Sequence, residues 1–204
     1  MNAPDTSIFT ERKLTSPRLR EFSLVCHGTV TARLGLDLLI AAVASLRSKI
    51  PGLRLKVIGE GDHLTRSRAL VDRLKLDDRV SFMKLVSVEE LPALLASADV
   101  GVVPYRPSSA THLMLPVKLL DYATIGIPVI ASRLRTIEYY FGDGAVEFFE
   151  PANVEALAEA ILRVYLDPLL RNRLIDRARV ALSALTWRSQ KIEYLRTIDS
   201  LLTA

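Results

Sequence analysis

Residues 98–132 read ADVGVVPYRPSSATHLMLPVKLLDYATIGIPVIAS. A short apolar run, ADVGVVP, leads into a polar loop, PYRPSSATHLM, then an amphipathic stretch, LPVKLLDYATIG, and a second apolar run, IPVIAS. Short apolar runs bounded by turn residues suit strands buried on both faces, and a 3.6-residue spacing of apolar positions suits a helix. Strand, loop, helix, strand requires a crossover, which makes the two strands parallel.

The same unit repeats on both sides of this stretch. FSLVC at 22–26 precedes a helical pattern from Arg33 to Lys49, and LRLKVIG at 53–59 precedes one through the sixties and seventies. RVSFM at 79–83 precedes VEELPALLA, and after IPVIAS a short turn leads to a sixth strand candidate, AVEFFE at 145–150. The expected fold is therefore α/β, a doubly wound parallel sheet of about six strands with helices on both faces. From Asn153 the pattern is helical alone, with a break at Asp167-Pro168, a second helix to about Leu185 and a third from Trp187. These C-terminal helices are expected to pack over the sheet. Residues 1–20 lack periodicity and read as a linker or arm, leaving residues 21–204 as one domain.

Of the 204 residues half are hydrophobic and a quarter charged, the balance of a chain that folds around a core. Charges or turn residues interrupt every apolar run well short of the ~20 residues that span a bilayer, so no transmembrane helix is expected. The start, MNAPDTSIFTERK, has no basic segment followed by a long apolar one, and the cytoplasm is the default expectation. The single cysteine, Cys26, sits in an apolar run and reads as a buried thiol. The net charge of +4 is scattered, which fits a phosphorylated small molecule or an anionic membrane surface, and no nucleic-acid module is present.

In open parallel sheets ligands bind beyond the carboxyl ends of the strands, so the loops there hold the candidate residues. In HGTVTAR, after the first strand, Gly28 lets the backbone approach a ligand, Thr29 follows it, and Arg33 falls at the expected start of a helix, a favourable place for an anion. A plain turn with a surface arginine is the alternative. In GEGD, after the second strand, Gly59 and Gly61 permit a tight turn beside a ligand, and the spacing is not that of a dinucleotide fingerprint. After the fourth strand, Pro116 suits a helix start and places Lys118 and Asp121 on one face near its amino end. The lysine can neutralise phosphate and the carboxylate can accept sugar hydroxyls; an intrahelical ion pair between them is the alternative. His27, His63 and His112 have no metal-ligand spacing, and no GxSxG nucleophile elbow occurs.

HGTVTARLGLDLLIAA, LKVIGEGD, VSVEELPALLASADVGVVPYRPS and LPVKLLDYATIGIPVIAS resemble, in order, the carboxy-terminal domain of family-four, group-one glycosyltransferases, and TWRSQKIEYL is similar to that family's closing helix. The resemblance implies one half of a GT-B fold: a Rossmann-like domain that holds a nucleoside-diphosphate sugar as donor substrate, without metal or other cofactor. NAPDTSIF at 2–9 resembles the end of the family's first domain, which implies that Met1 marks a truncation. Carried over, Gly28, Thr29 and Arg33 would lie by the donor diphosphate with Lys118, and Arg33 and Lys118 would stabilise the leaving group. The amides of His112, Leu113, Met114 and Leu115 would cradle the pyrophosphate. Asp121 takes the place of the family's second motif glutamate, which binds the ribose, and Leu113 stands where the first glutamate commonly falls, as in LPVKLLEY-type members.

The implied reaction is sugar transfer with retention. An acceptor glycan or lipid would be recognised by the first domain, peripheral membrane association would belong to the full-length protein, and this chain alone would bind donor without turnover. A non-catalytic nucleotide-sugar-binding or scaffolding module is the alternative, followed by a sugar-nucleotide epimerase.

Overall fold

The structure is a computed structural model that describes residues 5–11 and 21–202, with the backbone alone of Asp143. Six strands, β1 (Phe22–His27), β2 (Leu53–Ile58), β3 (Val80–Met83), β4 (Val100–Val103), β5 (Val129–Ser132) and β6 (Glu147–Phe149), form one parallel sheet in the order β3-β2-β1-β4-β5-β6. The helices are α1 (Leu36–Ser45), α2 (Leu64–Leu74), α3 (Leu91–Ala96), α4 (Ser109–Leu113), α5 (Val117–Ile125), α6 (Arg135–Ala145), α7 (Val154–Leu166), α8 (Pro168–Ser183) and α9 (Trp187–Leu202). This is the doubly wound, Rossmann-like architecture expected from the alternating runs.

The central strands β1, β4 and β5 are mostly apolar because their residues alternate between two cores. On one face Leu24, Leu55, Val100 and Ile130 pack with Leu39 and Val43 of α1 and Leu157 and Ile161 of α7. On the other, Val25, Val103 and Ala131 pack with Leu119 and Tyr122 of α5 and Ile137 and Phe141 of α6. Asn153 caps α7 by accepting from the amide of Ala156, and Asp167 caps α8 by accepting from that of Leu170, with Pro168 in the first turn.

Three expectations are corrected. The segment after β5 is not a short turn but the 11-residue helix α6. Gly142 and Gly144 suggest a break, yet Ile137, Phe141 and Ala145 recur every four residues as a buried stripe, and that packing outweighs glycine's low propensity. The helix after β1 does not start at Arg33: a 3-10 turn, Ala32–Leu34, is followed by Gly35 at φ 71° and only then by α1. Finally, α7 and α8 cover the sheet but α9 does not. None of its described residues is buried, and Leu185, just before it, is the last core residue.

Of the expected arm at 1–20, residues 1–4 and 12–20 lie outside the described residues. The intervening piece is anchored: Phe9 is buried in the core beneath α5, its amide donates to Asp5 O at 2.8 Å, and Glu11 pairs with Arg179 of α8.

Candidate functional site

The strand order runs outward in two directions from β1 and β4, so the loops leaving these neighbours diverge and open a crevice between them. A cleft of about 540 Å³ lies there. Its first wall is His27, Gly28, Thr29, Arg33 and Leu34, after β1; the second is Tyr105, Met114, Leu115 and the start of α5, Pro116, Val117, Lys118 and Asp121. Seven of the residues expected at a site thus meet in one place: Gly28, Thr29, Arg33, Met114, Leu115, Lys118 and Asp121.

The walls are tied at their base. Arg106 donates its amide to Arg33 O at 2.9 Å and pairs with Asp37 of α1. The chain turns past β4 so closely that a Cβ on Gly35 would sit 1.9 Å from Pro104 O. Arg33 is exposed at the rim, on the 3-10 turn rather than at an α-helix terminus.

Pro116 precedes the first turn of α5 and Gly126 ends the helix with φ 83°. Lys118 and Asp121 share the face turned to the crevice, both nearly buried at 7% and 4% exposure. They are not paired with each other. Lys118 Nζ lies 4.0 Å from Cys26 Sγ and 5.4 Å from the centre of the Tyr105 ring, a sulfur and an aromatic face that do not neutralise it. Asp121 Oδ2 instead meets His27 Nε2 at 3.1 Å. The other ring nitrogen, Nδ1, is 3.0 Å from the Tyr122 hydroxyl, whose oxygen also accepts from the His27 amide at 3.1 Å.

Burial holds His27 below the ordinary imidazole range; the hydrogen bond to Asp121 opposes this and the Lys118 charge adds to it. Burial likewise pushes the phenols of Tyr105 and Tyr122 well above theirs, with Cys26 close to both, so both remain protonated hydrogen-bonding groups.

Gly59, Gly61, His112 and Leu113 stand outside the cleft lining. A Cβ on Gly59 would lie 1.9 Å from Gly28 O, and one on Gly61 2.1 Å from Val30 O. The close approach these glycines allow is to the neighbouring loop, which is joined to theirs by Gly28 N to Ile58 O (2.8 Å), Val30 N to Glu60 O (2.9 Å) and His63 N to Val30 O (3.1 Å). His112 joins α4 to α6, accepting from the Arg135 amide at 3.3 Å through Nδ1 and from Thr136 Oγ1 at 2.8 Å through its carbonyl. Leu113 is 73% exposed. The amides of His112 and Met114 are used within the α4 turn. Those of Leu115, Val117 and Lys118 have no protein acceptor among the described residues, as expected where a helix begins.

Sequence reasoning left three residues without a role: His27, Tyr105 and Tyr122. Tyr105 lies two residues beyond the end of β4, so the carboxyl-end rule points to it. The partnership of His27 with Asp121 and Tyr122 spans 94 and 95 residues and has no local signal.

A nearly buried cation, a carboxylate, side-chain-free backbone at Gly28 and unused amides converge on a polar anion of moderate size that carries hydroxyls. Among the described residues no group of three or more metal-ligating side chains occurs, and no helix is long and apolar enough to cross a membrane.

The chain resembles known proteins in sequence and in fold. The chain is 30% identical over 148 residues to the GDP-mannose-dependent alpha-(1-6)-phosphatidylinositol monomannoside mannosyltransferase of Mycolicibacterium smegmatis, a match covering 71% of this chain and 39% of that enzyme. In fold it is similar to the C-terminal domain of the glycosyl transferase group 1 family protein LpcC from Francisella tularensis (TM-score 0.75, 17% identity, 89% of this chain and 97% of that one). It is also similar in fold to HepE of Anabaena, solved in complex with UDP and glucose (TM-score 0.82, 18% identity, 98% of this chain and 56% of that one). The chain thus spans about two fifths of the curated mannosyltransferase's length. The family described as "Glycosyl transferases group 1" matches residues 8–181, which include both walls of the cleft, and the chain belongs to that family.

Proposed function

We propose that this chain is the donor-binding half of a glycosyltransferase that moves a sugar from a nucleoside diphosphate to an acceptor with retention at the anomeric carbon. The observation that carries the reading is Lys118: a lysine 7% exposed, lining the crevice, whose neighbouring carboxylate is engaged elsewhere. A cation held in a low-dielectric cleft without a counter-ion favours an anionic ligand. The donor diphosphate would lie against Lys118, Gly28, Thr29 and the amides of Leu115, Val117 and Lys118, with Arg33 at the rim and the ribose at Asp121. HepE, of like fold, has been solved with UDP and glucose, and the mycolicibacterial relative is named for its dependence on GDP-mannose.

In the transfer, the bond from the anomeric carbon to the diphosphate oxygen breaks and an acceptor hydroxyl oxygen takes its place on the same face. The hydroxyl proton passes to the departing diphosphate. Lys118 and Arg33 would stabilise the charge that gathers on that leaving group, taking the part a metal ion plays elsewhere. Acceptor recognition belongs to a further domain, so the 204-residue chain binds donor and turns nothing over.

Calorimetric titration with UDP, GDP and their sugars tests this reading. Lys118→Ala should weaken binding about 10- to 100-fold, the worth of one charge-assisted contact. Wild type and Lys118→Ala binding alike, or neither binding at all, contradicts it. Leu113, exposed where the family resemblance implies a glutamate, favours a second reading, a binding module without transfer; an intact two-domain protein that binds donor and never transfers sugar would establish that one.

A further inference from the structure

A buried carboxylate needs a partner, and Asp121 has the Lys118 ammonium one helical turn away but uses His27. An ionised carboxylate only accepts hydrogen bonds, so the 3.1 Å contact requires a proton on His27 Nε2. A neutral ring has one such proton, and Nδ1 is then an acceptor filled by the Tyr122 hydroxyl at 3.0 Å. The hydroxyl's other acceptor, Val25 O, is farther away at 3.3 Å. The hydroxyl oxygen is itself held by the His27 amide at 3.1 Å, and the phenol ring stands edge-on to the imidazole at 78°. Tyr122 therefore fixes the tautomer of His27, and His27 fixes Asp121 Oδ2. Oδ1 has no donor among the described residues, and Asp121 lines the cleft.

We propose that His27 is a positioning residue that, braced by Tyr122, aims Asp121 Oδ1 at a ribose hydroxyl of the bound nucleotide and leaves Lys118 free for the diphosphate. The inference rests on the donor-binding reading above. A neutral imidazole suits the role because it satisfies one carboxylate oxygen without drawing the lysine into an ion pair. The titratable and charged groups around the ring are Asp121, Tyr122 and Lys118 of α5, the adjoining Cys26, Arg33 on the same wall of the cleft and Tyr105 on the opposite one.

Two measurements test it. NMR of the 15N-histidine-labelled chain should show His27 as the neutral Nε2–H tautomer, titrating below 6.5. Asp121→Asn should move that midpoint further down, since the carboxylate favours the charged ring. The Nδ1–H tautomer, or a midpoint indifferent to Asp121→Asn, overturns the proposal. Second, the affinity for UDP relative to inorganic pyrophosphate, which has no ribose, should fall about tenfold in His27→Phe and recover in large part in His27→Gln, whose amide can still donate to Asp121. Should His27→Phe not fold, Tyr122→Phe should lower the same ratio. An unchanged ratio in the folded variants overturns the positioning role alone, whereas a wild type that binds neither probe overturns the donor reading itself.

Discussion

Gly101 lies directly beneath the ring of Tyr122: a Cβ at this strand position would fall 2.3 Å from Tyr122 Cδ2. The glycine in β4 is there to admit the largest fully buried side chain of the domain, the one that braces His27. Gly101→Ala should destabilise the chain by about 1–3 kcal/mol through overpacking, read by urea denaturation. It should also disturb the His27 resonances, though residue 101 is not itself part of the cleft lining. A stable variant with unaltered His27 signals would show that the ring has room to move.

Lys118 should be a residue whose removal helps folding and harms binding. Its cation is nearly buried and forms no ion pair among the described residues. Lys118→Met keeps the apolar stem against Tyr105 and should raise stability by about 1 kcal/mol while weakening UDP or GDP binding about 10- to 100-fold. Loss of stability together with binding would mean that the ammonium contributes to the fold.

Acid should weaken the fold through His27. Its folded-state affinity for protons is lowered from the ordinary 6.5, so as pH falls below that value the unfolded chain takes up the proton more readily and stability declines. The decline runs from about 6.5 down to the lower folded midpoint and should flatten in His27→Gln, checked by denaturation midpoints at a series of pH values. Asp5 and Asp167, whose carboxyls are lowered from 3.8, act only in a separate window below that value. An identical pH slope in wild type and variant between about pH 5 and 6.5 would contradict this.

The glycines of the chain should differ sharply in tolerance. Gly59→Ala and Gly61→Ala drive a methyl into the backbone oxygens of Gly28 and Val30 and should each cost about 1–3 kcal/mol. Gly142→Ala, on α6 with nothing within 4 Å of the added carbon, should instead stabilise by about 0.5–1 kcal/mol. Thermal unfolding of the three variants separates the two effects.

What the sequence discloses follows from where each signal lives. The central strands are legible because both of their faces are buried, which writes them as short, mainly apolar runs such as VGVV and VIAS. The cleft walls are legible because strand order places them by rule, and the chemistry of Lys118 and Asp121 is carried by residue type. Gly59 and Gly61 mark a close approach correctly, but one string cannot tell a ligand from the backbone of the next loop. Helix α6 hides behind two glycines because its buried stripe gains meaning only against α8 and the sheet. The pairing of His27 with Asp121 is invisible locally, since each looks complete within its own segment.

That pairing also sets when the site can exist. His27 and Asp121 are 94 residues apart and meet only after β1 has docked beside β4, a contact that closes a long stretch of chain and comes late on entropic grounds. On the proposed donor-binding reading, a partly folded chain lacking that union has no crevice in which to hold a nucleotide. Ligand occupancy would therefore report on closure of the β1–β4 junction, and a nucleotide present during refolding should slow unfolding without speeding the approach to the native state.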